Sequence, residues 1–98
     1  MSQTMLVLNI DPRLLEDLVD YLLGMESVAE FTTYQVYSHG DHKDMSVAEQ
    51  VSGRRERRQV EIIIDEASIG DLLGGLENAV GKGIVYWEQM IRNRGMIS

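Results

Sequence analysis

The pattern Asp-x5-Asp-Leu-[Val/Leu]-x2-Leu occurs twice in the chain, as Asp11, Asp17, Leu18, Val19, Leu22 and again, 54 positions on, as Asp65, Asp71, Leu72, Leu73, Leu76. A motif repeated at a fixed offset marks an internal duplication, and each copy then builds the same supersecondary unit. Each follows a run with strand character, 5–10 in the first copy and 60–64 in the second. Each precedes a run of β-branched and aromatic residues, 31–37 and 84–91. The order is therefore strand, helix, strand, twice over.

Two such units in 98 residues give one domain, 1–98, of α+β class. The expected architecture is a ferredoxin-like βαββαβ sandwich, a four-stranded antiparallel sheet with two helices on one face. The first helix should open on Asp11 as N-cap with Pro12 at the first helical position, keep Leu14, Leu15, Leu18 and Leu22 on one side, and end near Gly24. The second should start at Asp65 or Ser68, bury Ile69, Leu72, Leu73, Leu76 and Val80, and stop at Gly81. Gly74 and Gly75 inside it each weaken a helix by about 1 kcal/mol relative to alanine, which close packing by the sheet or a neighbouring subunit would explain. Both sides of the last strand are substantially apolar: Val85, Trp87 and Ile91 on one, Ile84, Tyr86 and Met90 on the other. The strand from Phe31 behaves similarly, so the sheet face away from the helices should be an association surface.

Between the two units lie about 19 residues, Gly40 to Arg58, far longer than an ordinary connection and therefore expected to be either a functional loop, the reading preferred, or a disordered one. Within it Ser46-Val47-Ala48-Glu49 reads as a capping box, with Gly53 placed to stop a short helix. The chain carries a net charge of −7, which opposes nucleic-acid binding because phosphate neutralisation needs a cationic face. Six of its nine Lys and Arg residues are gathered at Arg54, Arg55, Arg57, Arg58 and at Arg92, Arg94. Focused cations on an acidic protein favour a small anion or an acidic partner. There is no cysteine, no leader-like start and no apolar run long enough to span a bilayer, so the expectation is a cytoplasmic protein without membrane insertion.

Three groups of residues carry candidate chemistry. His39, Asp41, His42 and Asp44, with Met45, place oxygen and imidazole donors within seven residues, suited to a divalent ion such as Cu, Zn, Co or Ni. A solvated polar turn has the same composition. Arg54, Arg55, Arg57 and Arg58 present forked guanidinium donors for phosphate or carboxylate, and the same charges would also discourage edge pairing of the third strand. Arg92, Arg94 and Lys82, the last in the Gly81-Lys82-Gly83 turn, complete the candidate anion-binding set. No nucleophile elbow, Walker loop or His-Glu-x2-His is present, and an enzyme is not expected.

Two βαβ units, a long connection between strands two and three, and the ending Val85-Tyr86-Trp87-Glu88-Gln89-Met90-Ile91-Arg92-Asn93-Arg94-Gly95 together resemble the PII-like superfamily. More closely, the chain resembles the small PII-like proteins found with heavy-metal efflux systems. The resemblance implies a homotrimer with sheets facing one another around the threefold axis. It implies a partner-contacting loop matching 40–58, whose partner would be a membrane efflux transporter or another regulated protein. It also implies that Arg92 and Arg94 match the Arg-x-Arg that meets nucleotide phosphates, making adenine nucleotide a candidate ligand. The chain departs from nucleotide-binding members where their Thr-Gly-x2-Gly-Asp-Gly-Lys loop is reduced to Val80-Gly81-Lys82-Gly83. The CutA divalent-cation tolerance proteins are related by fold, and this gives a metal-binding alternative built on His39 and His42.

Overall fold

The computed structural model describes residues 2–40 and 54–98. Strand β1 spans Gln3–Ile10, a 3-10 turn Pro12–Leu14 leads into helix α1 at Leu15–Leu23, and strand β2 spans Val28–Ser38. Strand β3 spans Arg55–Asp65, a second 3-10 turn Glu66–Ser68 leads into helix α2 at Ile69–Ala79, and strand β4 spans Val85–Met90. The strands form one antiparallel sheet in the order β2-β3-β1-β4. The duplicated βαβ reading is thus the observed topology.

The repeat is visible in how the helices begin. Asp11 and Asp65 each sit in extended backbone, and their carboxylates accept from the N–H two residues on, Arg13 and Ala67. Capping by a short acidic side chain satisfies amides that the first turn leaves without partners. In both copies the aspartate opens a 3-10 turn: α1 proper starts three residues later than Asp11 and Pro12 suggest, whereas in the second copy Asp65 caps the turn and Ser68 is the N-cap of α2, the two starts expected for it. α1 closes at Gly24 as expected, and α2 closes at Val80, one residue before Gly81.

Alternation along β1 and β3 sends Leu6, Leu8, Ile10 and Val60, Ile62, Ile64 to one face, all fully buried. Leu18 and Leu22 of α1 and Ile69, Leu72 and Leu76 of α2 close over them as one core. Truncating any one of these to alanine should cost roughly 2–5 kcal/mol. The opposite face bears Met5, Val7 and Asn9 of β1 beside Val85, Trp87 and Gln89 of β4 and Gln59, Glu61 and Ile63 of β3. Here Val85 and Trp87 stay exposed at 55% and 39%, as does Tyr34. Tyr34 donates to Glu61 Oε2 and accepts from Gln59 Nε2, both at 2.8 Å. Loss of that donated bond on ionisation is the main reason the Tyr34 hydroxyl titrates above its ordinary range.

Two expectations change. Residues 55–58 are not loop: β3 already runs through them, with Arg55 opposite Ser38 and Arg58 opposite Gln35. Backbone pairing to the long β2 extends the strand through residues whose side chains carry no apolar signal. Gly75 is explained neither by the sheet nor by a neighbour, because a Cβ there would stand 2.6 Å from the Tyr21 hydroxyl of α1. A Cβ at Gly74 would meet nothing within 4 Å, and no contact accounts for that glycine. The capping box at 46–49 lies outside the described residues.

Candidate anion-binding clefts

The C-terminal end of β1 and the starts of β3 and β4 meet at one end of the sheet, and a cleft of about 510–560 Å³ lies at each end. The first, at 560 Å³, is lined by Asp11, Arg13, Leu14, Arg55, Arg57, Lys82 and Gly83. The second, at 510 Å³, is lined by Ser2, Gln3, Asp65, Ile91, Arg92, Asn93 and Arg94. They are related by the duplication. Asp11 and Asp65 stand 54 positions apart, as do Gln3 and Arg57, and each pair contributes one residue to each cleft.

Arg57 organises the first cleft. It is 3% exposed, and its guanidinium donates from Nε to Asn9 Oδ1 at 2.7 Å and from Nη2 to the Asn9 and Gly83 carbonyls at 2.8 and 3.0 Å. A guanidinium stays protonated even when buried, and its charge is felt nearby. The Asp11 carboxyl lies at about 2 instead of 3.8, first because Arg13 donates to it from side chain and backbone, with the charges of Arg13 and Arg57 assisting. Arg13 grips Asp11 at 2.9 Å from Nη2 to Oδ2 and 3.1 Å from Nε to Oδ1, in a pair whose arginine is largely solvent-exposed.

The Gly81-Lys82-Gly83 turn forms the cleft's other wall. Gly83 adopts φ +76, a left-handed conformation that side chains disfavour. Gly81 has φ +146, and a Cβ on it would also press to 3.1 Å from Leu14. Lys82 projects from between them and meets Glu77 at 3.5 Å, both groups being exposed. Such an ion pair holds the amine weakly and leaves it exchangeable with another anion.

The structure therefore brings together Arg55, Arg57 and Lys82 of the residues singled out from sequence, and adds Arg13, Asp11 and Leu14. Sequence reasoning misses Arg13 because Asp11 reads as a helix cap and its neighbours as part of the turn. The signal lies in the repeat, where Arg13 stands at the position that Ala67 holds in the second copy. Arg54 and Arg58 go elsewhere. Arg54 stacks 4.2 Å over the Tyr37 ring, and Arg58 lies 3.4 Å from Glu56, which also accepts from Gln35 at 2.8 Å. Arg92 and Arg94 are at the far end of β4, where Arg94 pairs with Glu30 at 2.9 Å and reaches Gln3 at 3.5 Å. His39 is exposed just past β2, whereas Asp41, His42 and Asp44 lie outside the described residues. Among the described residues no three His, Asp or Glu side chains are grouped to hold a metal ion, and no helix is long and apolar enough to cross a membrane.

No curated protein matches the sequence. Solved structures share the fold, among them two that cover nearly the whole chain. The crystal structure of a DUF3240 family protein from Shewanella baltica OS155 superposes with a TM-score of 0.81 at 23% identity, covering 100% of this chain and 99% of that one. The periplasmic divalent cation tolerance protein CutA from Archaeoglobus fulgidus superposes with a TM-score of 0.72 at 8% identity, covering 96% and 87%. The fold is that of the PII-like and CutA proteins. Over its whole length, residues 1–98, the chain matches the protein family of unknown function DUF3240, and it belongs to that family.

Proposed function

We propose that the chain is a PII-like regulatory binding protein, assembled as a homotrimer, whose ligand is a small anion bound in the cleft of Arg13, Arg55 and Lys82. The observation that carries this reading is the cleft itself: cations on three separate segments converge around a buried, fully charged Arg57 on a protein of net charge −7. Among the described residues, Asp11 is the one acidic residue lining that cleft against Arg13, Arg55, Arg57 and Lys82, so it offsets only part of their charge and a further anion is favoured there. Support for assembly comes from the sheet face carrying Val85, Trp87 and Tyr34, which a monomer leaves in water. In a trimer the Arg92 and Arg94 of one subunit would meet the first cleft of the next, and the connection between β2 and β3 would contact the regulated partner. That partner belongs to heavy-metal homeostasis in this reading, an efflux transporter being the leading candidate.

The second reading is direct binding of a divalent metal, which the shared fold with a divalent cation tolerance protein supports. Calorimetric titration separates the two. Inorganic phosphate, ADP or ATP should bind at up to millimolar concentration and lose about tenfold in affinity in Lys82→Ala. Binding of Cu(II) or Zn(II) that disappears in His39→Ala/His42→Ala, with no response to any anion, would replace the anion reading by the metal one.

A further inference from the structure

Arg57 differs from the other cations of its cleft in what it touches. The Arg13 and Lys82 side chains are 89% and 85% exposed and can turn toward a ligand. Arg57 is buried, and the donors described above are committed to the end of β1 and to the Gly83 carbonyl. Gly83 in turn belongs to a turn with glycine on both sides of Lys82 and positive φ at both glycines. Such a backbone has more freedom than any other, and fixing it only when a ligand arrives would reduce affinity.

We propose that Arg57 is the positioning residue of the anion cleft: its planar guanidinium ties the Gly83 carbonyl to Asn9, and so holds in advance the turn from which Lys82 reaches the ligand. The inference rests on the anion reading above. Lysine cannot substitute, because a single ammonium lacks the fork that spans Asn9 and Gly83 together. Asn9 is part of the device although it does not line the cleft, since its side chain sets the Nε half of the fork.

The test is calorimetric titration with inorganic phosphate at two salt concentrations on the full chain, its Arg57→Lys, Asn9→Ala and Arg55→Gln variants, each first checked for native circular dichroism. Arg57→Lys and Asn9→Ala should each weaken phosphate binding about tenfold, as loss of an outer supporting contact does elsewhere. Neither removes a charge, so the dependence on salt should stay as in the wild type, whereas Arg55→Gln should weaken binding and flatten that dependence. Hydrogen exchange at the Gly81 amide, which donates to the Leu76 carbonyl at 3.3 Å at the start of the turn, should quicken in Asn9→Ala without ligand, and this variant carries the test if Arg57→Lys does not fold. Phosphate affinity unchanged in Asn9→Ala overturns the inference alone. No phosphate binding by the wild type overturns the anion reading, and this inference with it.

Discussion

The Tyr21 hydroxyl occupies the space that a side chain at Gly75 would need, 2.6 Å from the position of its Cβ, and from there donates to the Leu72 carbonyl at 2.8 Å. One tyrosine thus locks α1 against α2 through a backbone acceptor, and the helix must be bare where the ring arrives. Gly75→Ala should destabilise the fold by about 1–3 kcal/mol through overpacking and loss of that bond. Gly74→Ala, one position away with open space around it, should instead stabilise by about 0.5–1 kcal/mol from helix propensity. Urea denaturation of the two variants checks the opposite signs.

Asp11 supplies a pH dependence of definite sign. Its carboxyl is depressed to about 2 in the fold against 3.8 when unperturbed. The pairing therefore contributes stability above about pH 4 and loses it as pH falls toward 2. Solvent around Arg13 limits the contribution to about 1 kcal/mol or less. Asp11→Asn keeps a good capping residue while removing the charge, so its stability deficit should be present at pH 7 and close between pH 4 and pH 2. A deficit that persists unchanged at pH 2 would assign the effect to the cap and not to the charge.

Trp87 tests the open sheet face. Light scattering of the wild type should report about three times the 11.1 kDa chain mass, and Trp87→Asp should report the monomer with its circular dichroism retained, since Trp87 lies outside the helix-covered core. A wild type that is monodisperse as a monomer at micromolar concentration rejects the assembly.

Arg92 and Arg94 test where the ligand site is completed. Within one chain they and Lys82 flank opposite ends of β4, roughly 20 Å apart at strand rise. Arg92→Ala/Arg94→Ala should nonetheless weaken phosphate binding as Lys82→Ala does, and refolding the two variants together should restore a fraction of wild-type sites. Wild-type affinity in the double variant would confine the site to one subunit.

Much of the fold is legible in the chain because the duplication states it twice: both caps, Asp11 and Asp65, and both buried stripes, Leu18/Leu22 and Leu72/Leu76, hold in the structure. The start of β3 is not. Residues 55–58 offer no apolar alternation, and only pairing to Ser38 through Gln35 makes them strand. The placement of the arginines at 54–58 is not legible for a related reason. A run of arginines reads as one patch in sequence, and the pleat sends its members to different neighbours. Arg57 cannot be recognised as buried, because its acceptors Asn9 and Gly83 are distant in the chain and carry no charge to announce them.

That pleat makes chain length between 57 and 60 a quantity with a meaning of its own. Arg55 and Arg57 fall on one side of β3, and Glu56 and Arg58 on the other. With Val60, Ile62 and Ile64 holding the register in the core, adding or removing a single residue just before Val60 would leave composition and net charge nearly intact, yet would put Arg58 or Glu56 where Asn9 and Gly83 await a guanidinium. Two residues added together would restore the parity. The stretch is wired by odd and even, so a variant that looks most conservative in composition can be the one that disconnects it.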